Sequence, residues 1–334
     1  MIRPQVLSDA LETQHAFQAA LPFRHVAIEN FLEPDVAESL LSDFPAFDKR
    51  KAMNELGQMG RKAAVEQVSG ISPGYCAFYN YINSKPFLEA MSELTGIPDL
   101  IADDTLFGGG THENLEGQGL DMHVDFNIDE RRMLHRRVNL LVYLNKEWDE
   151  AWGGSIQLHS DPWTPKANQV KSFLPLFNRA VIFETNEYSW HGFKRIVLPE
   201  GRKDLSRKSF SIYLYTRDRP AEEVVAPHTT FYVPVVAPDC ITEGNTLTAK
   251  DAEEINIALA SRDGLLRMYQ KLLIEKEQRL IDSVSVKQAG VADGWAPNYH
   301  VILKSRSWRF IMKLHHLRYR LGRAVRRFGS RGQA

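Results

Sequence analysis

The sequence is poor in cysteine and contains no long apolar run. Two cysteines, Cys76 and Cys240, occur among 334 residues, and neither belongs to a CxxC motif or to a Cys/His ligand spacing. Their scarcity argues against a cysteine-based metal site and favours a reducing compartment. Nowhere do eighteen apolar residues run together, and polar residues interrupt the apolar stretches of the N-terminus, which argues against a membrane span and a signal peptide. We therefore expect a cytoplasmic protein, either free or peripheral at the inner face of the membrane.

Internal repeats, low-complexity blocks and phosphate-binding loops are also missing. The Gly-rich stretch FGGGTHE (107–113) lacks the Gly-Lys-Ser/Thr ending of a phosphate loop, and we expect it to form a flexible loop at the mouth of a site. A composition that is 43% hydrophobic and 25% charged is ordinary for a globular protein. The absences therefore leave a globular protein with a sizeable core.

Charge is distributed unevenly, although the net charge is only −1. Residues 304–331 contain ten lysines and arginines and no acidic residue, so the remainder carries about −11. Apolar residues recur at helical steps between these basic ones, which predicts an amphipathic cationic helix over 305–331. Such a helix can lie on an anionic membrane surface or dock on the preceding helices. Because the remainder is acidic and holds no recognised nucleic-acid-binding module, we expect no nucleic acid as a partner.

Helical patterns dominate the two ends of the chain, and short strands dominate its middle. Helices are predicted over 33–44, 85–96 and 248–285. Strands bounded by Gly and Pro are predicted over 136–145, 153–160, 179–185 and 209–217. Many short strands with this punctuation favour a sandwich or small barrel, with a jelly roll among the candidates.

These patterns divide the chain into three parts. A domain over 1–219 has a helical layer (1–100) and a β core (100–219). A Pro-rich extended connector covers 220–247, and a helical appendage with the basic tail covers 248–334. The fold class we expect is α+β with a mainly β core.

The stretch LDMHVDFN (120–127) places a histidine and an aspartate two residues apart in a predicted strand. Because successive side chains of a strand point to opposite faces, His123 and Asp125 share one face. A facial triad of two histidines and one carboxylate is typical of iron sites that keep positions open for oxygen and a co-substrate. We favour His191, which lies among aromatic residues in NEYSWHGFKRI, as the third ligand. His112 is a weaker alternative, because no strand pattern surrounds it.

A possible carboxylate clamp follows the third ligand along the chain. In RKSFSIYLYT, Arg207 and Ser209 share a face, and an arginine fork beside a hydroxyl suits bidentate binding of a carboxylate. Asn139 and Tyr143 share a face of RRVNLLVYLN and either reach the site, as contacts of an oxo acid or of the ligands, or serve in packing. Each residue alone has an ordinary structural explanation. Their common order and strand context favour a metal site.

The residues in this order resemble a known family. His-x-Asp followed by RRVNLLVYLN, WGGSIQLH, NRAVIFE, SWHG and RKSFSIYLY is similar to the Fe(II)/2-oxoglutarate-dependent dioxygenases, in particular their prolyl 4-hydroxylase-like branch. The resemblance covers roughly 20–217. It implies a double-stranded β-helix (jelly roll) flanked by N-terminal helices, Fe(II) bound by His123, Asp125 and His191, and 2-oxoglutarate bound by Arg207 with help from Ser209. Ascorbate is a further cofactor of such enzymes. Many prolyl hydroxylases have Lys in place of Arg207, which weakens the transfer of their substrate.

The function that the resemblance implies is hydroxylation of an aliphatic carbon, with succinate and carbon dioxide as co-products. No protein nucleophile or general base beyond the metal ligands is needed. The substrate is either a prolyl residue or other protein side chain, as in the similar branch, or a surface-polysaccharide or lipid-linked sugar. The sugar option rests on SRSWRFIMKL, which is similar to Ser-x-Ser-Trp-Arg tails of bacterial glycosyltransferases. The alternative is a non-catalytic jelly-roll module that binds carbohydrate or acts as a scaffold.

Overall fold

The computed structural model of the chain describes residues 1–47, 63–164, 166–233, 241 and 243–290. The chain divides into two compact units, Met1–Leu265 and Leu266–Ala334, and of the second unit the structure describes only a helical stretch. The basic helix predicted over 305–331 lies outside the described residues. The site described below belongs to the first unit.

Five helices precede the β core. They are α1 (Pro4–Ser8), α2 (Ala10–Ala19), α3 (Pro34–Ser42), α4 (Pro73–Ile82) and α5 (Lys85–Thr95). Four of them carry proline in their first turn, where its missing N–H group costs nothing. Helix α6 (Ala249–Gly290) follows the core and agrees with the helix predicted over 248–285. Across the described residues, no helix has both the length and the apolar composition needed to cross a bilayer.

Thirteen strands within the described residues form two antiparallel sheets. Those of the larger sheet are β1 (His25–Ile28), β2 (Ala63–Val65), β3 (Ile101–Ala102), β4 (Gly110–Asn114), β6 (Ile128–Asp129), β7 (Leu134–Tyr143), β10 (Ala180–Glu184) and β12 (Arg207–Thr216). Those of the smaller sheet are β5 (Leu120–Val124), β8 (Ile156–His159), β9 (Val170–Phe173), β11 (Trp190–Phe193) and β13 (Phe231–Tyr232).

The order of eight of these strands is that of a jelly roll. In the larger sheet the neighbours run β4-β12-β7-β10, and in the smaller sheet β5-β11-β8-β9. We number these eight strands one to eight along the chain. In the larger sheet, strand one pairs with strand eight and strand three with strand six. In the smaller sheet, strand two pairs with strand seven and strand four with strand five. The predicted α+β fold with a jelly-roll core is therefore confirmed. The Gly-rich stretch predicted as a flexible loop contributes Gly110–Glu113 to strand β4.

The larger sheet has an apolar outer face and a partly polar inner face. Val138, Leu140 and Val142 of β7 lie in one hydrophobic cluster with side chains of α4 and α5. The alternate residues of β7 face the smaller sheet, where Tyr143 packs against Ile156 and Leu158 of β8. Because a buried polar group without a partner costs about 1–3 kcal/mol, polar side chains on this inner face require partners there.

Candidate metal centre

The jelly roll brings the three predicted ligands together. Strands β5 and β11 are neighbours, and His123 lies directly opposite His191 in their register. Asp125 follows β5 by one residue, and its carboxylate oxygens lie 3.7 Å from His123 Nε2 and 3.4 Å from His191 Nε2. One ligand atom from each of the three lies within 4.8 Å of the others. This donor set is that of a facial triad with open positions.

Backbone carbonyls orient both imidazoles. His123 Nδ1 lies 2.8 Å from the carbonyl oxygen of Asp121, and His191 Nδ1 lies 2.8 Å from that of Ser189. Because a carbonyl oxygen only accepts, each Nδ1 carries the proton and each Nε2 keeps its lone pair for a metal. Burial lowers the pKa of His191 although Asp125 opposes the shift, which favours the neutral form that binds a metal.

Asp125 is held by two side chains of strand β7. Its Oδ2 accepts a hydrogen bond of 2.7 Å from the Asn139 amide and lies 3.1 Å from a guanidinium nitrogen of Arg136. Burial raises the pKa of the Asp125 carboxyl, but Arg136, the two histidines and Asn139 outweigh burial and hold that pKa well below its usual range. The carboxylate is therefore ionised and fixed before any metal arrives.

Arg136 is the residue that sequence reasoning missed. Its side chain is 2% exposed, and its guanidinium lies over the rings of Tyr213 (3.6 Å) and Phe126 (4.7 Å). It donates two hydrogen bonds, of 2.9 and 3.0 Å, to Oδ1 of the Asn139 side chain. Strict alternation would put residues 136 and 139 on opposite faces. A bulge opposite Leu214 and Tyr215 adds one residue to β7 between them, which turns Arg136 toward the site. The sequence carries no marker for this bulge.

The predicted carboxylate clamp lies between the two sheets. Arg207 is 3% exposed, donates from Nε to the carbonyl of Gly154 (2.7 Å) and from a terminal nitrogen to the hydroxyl of Tyr143 (3.1 Å). The ring of Phe193 lies 4.1 Å from its guanidinium carbon. Burial lowers the pKa of Arg207, and Tyr143 partly offsets this. Among the ion pairs of the described residues none involves Arg207, so its charge is buried without a carboxylate partner.

Gly154 explains why the arginine fits. Its φ angle of +71° lies in the left-handed region, and a Cβ there would lie 3.3 Å from Cδ of Arg207 and 3.0 Å from the ring of Trp148. The Gly-Gly turn of the sequence WGGS thus gives Arg207 a carbonyl partner at close range.

The remaining predicted residues lie on the same inner face. Ser209 pairs with Tyr143 on β7 and with His112 on β4, and it is buried. Asn139 contacts Asp125 rather than Arg207, as described above, while its role toward an oxo acid stays a prediction. His112, the weaker ligand candidate, has Nδ1 at 3.0 Å from the Ser211 hydroxyl and Nε2 at 3.0 Å from the Gly108 carbonyl. It lies outside the three-residue group.

Part of the chain matches a described family. The model of the 2OG-Fe(II) oxygenase superfamily matches residues 110–215, which run from strand β4 nearly to the end of β12. This segment contains the three candidate ligands and Arg207.

Individual proteins are similar at low identity. Prolyl 3-hydroxylase OGFOD1 of Mus musculus is 23% identical over 223 residues, which cover 64% of this chain and 36% of that protein. The chain thus matches about a third of that relative's length. A prolyl hydroxylase from Trichoplax adhaerens, solved with a hypoxia inducible factor peptide, is 16% identical, with a TM-score of 0.44 over 64% of this chain and 93% of that one. A prolyl 4-hydroxylase from Phytophthora capsici is 16% identical, with a TM-score of 0.45 over 86% and 91%.

Proposed function

We propose that this chain hydroxylates an aliphatic carbon with Fe(II) and 2-oxoglutarate, releasing succinate and carbon dioxide, since residues 110–215 match the model of the 2OG-Fe(II) oxygenase superfamily. The observation that carries the proposal is the coexistence of two complementary features in one jelly roll. Two imidazoles whose Nε2 atoms lie near a fixed carboxylate offer a cation site. A buried arginine that has no acidic partner among the described residues offers an anion site.

The donor set fits iron. His123, His191 and Asp125 would hold Fe(II) through two imidazole nitrogens and a carboxylate oxygen, a combination common to non-haem iron oxygenases. Asp125 Oδ2 already receives Asn139 and Arg136, so Oδ1 is the oxygen with fewer contacts to protein. Asn139 and Arg136 thus restrict the orientation of the Asp125 carboxylate.

The clamp fits a dicarboxylate. Burying an unpaired guanidinium is costly, and an anion that accepts from it removes that cost. Arg207 would hold a carboxylate of 2-oxoglutarate, with the Tyr143 hydroxyl as its neighbour and Ser209 opposite Tyr143 in the strand register. Phe193 and Tyr143 cover the guanidinium with their rings and keep water from it.

The chemistry comes from the metal and the co-substrate, and the protein orients them. When bound, iron would activate dioxygen, the oxidant, while 2-oxoglutarate would supply two electrons as it is converted to succinate and carbon dioxide. Arg136 and Asn139 hold the Asp125 carboxylate in its ionised form, and the carbonyls of Asp121 and Ser189 hold protons on Nδ1 of both imidazoles. None of these residues has to transfer a proton to the substrate.

For the substrate, a prolyl residue or another side chain of a protein is our proposal. It is supported by the similarity to a prolyl 3-hydroxylase, which covers 64% of this chain. The sugar substrate, the cytoplasmic location and attachment to an anionic membrane stay predictions, because the tail behind them lies outside the described residues.

One titration tests the proposal. Anaerobic addition of Fe(II) and 2-oxoglutarate to the metal-free protein should produce the weak visible metal-to-ligand charge-transfer band, and oxygen should then release succinate. Proline-containing peptides should raise succinate formation and gain one oxygen atom by mass spectrometry. A folded, iron-loaded protein that yields neither band nor succinate would favour the non-catalytic module instead.

A further inference from the structure

Four aromatic rings follow one another in contact at the candidate metal centre, and of the three pairs they form, only that of His123 and Tyr232 is stacked. The ring centroids of Phe183 and His191 are 4.7 Å apart, those of His191 and His123 are 4.3 Å apart, and those of His123 and Tyr232 are 5.1 Å apart. Tyr232 lies nearly parallel to the imidazole, at an interplanar angle of 28°. Phe183 lies at one end of this row, next to His191, and Tyr232 lies at the other end, next to His123.

Tyr232 comes from a part of the chain outside the family match. It belongs to β13, which extends the smaller sheet beyond β5 and places Tyr232 directly opposite His123. The next residue, Val233, donates from its backbone N–H to the carbonyl of Met122 at 2.8 Å. Because β13 has only two residues, we also considered the contacts of the segment that leads to it.

The segment 219–233, which we call the strap, is tied to residues around the ligands. Arg219 donates to the carbonyl of Thr185 at 2.9 Å and to that of Arg136 at 3.4 Å. Asn127, two residues after the ligand Asp125 and 4% exposed, uses both ends of its amide. Its Nδ2 donates to the carbonyl of Ala226 (3.0 Å), and its Oδ1 accepts from the N–H of His228 (2.9 Å). The strap therefore has a defined course from its start to Tyr232.

We propose that Tyr232 is a positioning residue for the ligand His123, and this inference rests on the proposed function. The hydrogen bond from Nδ1 to Asp121 fixes the tautomer, and the rings of His191 and Tyr232 that contact the imidazole bear on its tilt about that bond. The parallel tyrosine ring restricts that tilt and keeps water from one face of the imidazole. The metal centre is thus completed by the strap, beyond the end of the jelly roll.

Co(II) binding to the full-length, metal-free protein tests this role without turnover. Its visible d–d absorption reports the ligand geometry, and titration gives the affinity. Residues that orient a metal ligand are worth about 10–100-fold in metal affinity. We expect Tyr232→Ala to weaken Co(II) binding about 10-fold and to change the shape of the d–d band. Tyr232→Phe, which keeps the ring, should stay within about 2-fold of wild type with an unchanged band.

The adjacent residue is a matched control. Phe231 lies on the same short strand, is 44% exposed and stacks on His228 rather than on a ligand. Phe231→Ala should leave the Co(II) affinity and band as in wild type. Equal losses in Phe231→Ala and Tyr232→Ala would overturn the inference, because they would trace the effect to the strap rather than to the ring.

Two further outcomes complete the test. Wild-type affinity and band in Tyr232→Ala would overturn the positioning role, while Co(II) binding and succinate formation by wild type would still support the proposed function. If circular dichroism shows that Tyr232→Ala does not fold, Tyr232→Leu takes its place, because leucine keeps an apolar side chain there without the flat ring. We expect the d–d band of Tyr232→Leu to differ from that of wild type, and an unaltered band would again overturn the inference.

Discussion

The two charged ends of the site are built in opposite ways. Asp125 has its negative charge matched by Arg136, and the Asn139 amide and two imidazoles lie around it. Of the residues that the structure describes, those around the positive charge of Arg207 contribute a carbonyl, a hydroxyl and aromatic rings, and no carboxylate pairs with it. Both side chains are buried, so the difference does not come from exposure.

The contrast indicates what each end is prepared for. At the metal end, Arg136 and Asn139 balance the carboxylate of Asp125 from within the protein. At the clamp end, a buried guanidinium carries a cost that falls when an anion binds. The charge of Asp125 is thus balanced by the protein itself, whereas that of Arg207 awaits a ligand. Substitutions at the two ends should differ in their effect on the metal-free protein.

Removing a ligand is expected to have the largest effect. His191→Ala should lower succinate formation to below about 1% of wild type, because even substitutions behind a ligand cost about 10–100-fold. The measurement is succinate released per protein at saturating Fe(II) and 2-oxoglutarate. The control is His15→Ala, because His15 is an exposed residue of α2, and this variant should keep full activity. Normal turnover in His191→Ala would remove that residue from the ligand set.

Breaking the balance at the metal end is expected to destabilise the metal-free protein. Arg136→Met keeps an apolar stem between Phe126 and Tyr213 but leaves Asp125 buried without its cation. Losing one partner of a buried pair costs about 3–5 kcal/mol, so the free energy of unfolding in urea at pH 7 should fall by about 3 kcal/mol. A variant as stable as wild type would show that Asn139 alone satisfies the carboxylate.

The same variant predicts a pH dependence. In wild type the pKa of Asp125 is lowered in the folded state, so its contribution to stability is present above the unfolded value of about 3.9 and is lost as the pH falls toward the folded value. Without Arg136, burial raises the pKa of Asp125 and this contribution disappears. The gap in unfolding free energy between wild type and Arg136→Met should therefore be widest near neutral pH and narrow below about pH 4. A gap that stays constant from pH 7 to pH 3 would assign it to packing.

Arg207→Met is the counterpart at the clamp end. Removing an unpaired buried charge offsets the lost hydrogen bonds to Gly154 and Tyr143, so the unfolding free energy of the metal-free protein should stay within about 1 kcal/mol of wild type. The 2-oxoglutarate concentration needed for half-maximal succinate formation should rise about 10-fold or more. Lys208→Met, on the opposite face of β12, should leave that concentration unchanged. An unchanged requirement in Arg207→Met would place the clamp elsewhere.

The sequence predicts some residues of the site and not others. It predicts His123, Asp125 and Arg207 because alternation along regular strands assigns their faces. The strand neighbours β5 and β11, which bring His191 to the pair, follow from the resemblance to a jelly-roll family rather than from local pattern. The short helices α1, α2 and α4 were not predicted, since their stability comes from packing on the larger sheet.

Arg136 and Tyr232 could not be predicted for two different physical reasons. A bulge reverses the alternation between Arg136 and Asn139, and bulges depend on pairing with a distant strand. Tyr232 pairs with His123 across more than a hundred residues, from a Pro-rich segment predicted as a connector. Each of the two residues contacts a candidate ligand, Arg136 from the first position of RRVNLLVYLN and Tyr232 from outside the stretches that carry the resemblance. The balance that distinguishes the metal end is therefore a property of tertiary structure.

The smallest expected effect comes from the hydroxyl of Tyr143. This oxygen lies 3.1 Å from a nitrogen of Arg207 and is one of the few polar partners of the clamp. Tyr143→Phe removes it and preserves the ring that packs on β8, so the fold should be unchanged. A hydrogen bond to a charged group contributes about 1.5 kcal/mol at the low end of its range. Because the hydroxyl orients the guanidinium, which itself remains, only part of this is lost, so the half-saturating concentration of 2-oxoglutarate should rise less than about 10-fold while Co(II) affinity is unaffected. Combining Tyr143→Phe with Arg207→Met should add nothing to the effect of Arg207→Met alone, because the hydroxyl acts through the guanidinium. An additive loss in the double variant would show that Tyr143 contacts the co-substrate independently, and the clamp would then have two separate donors rather than one oriented arginine.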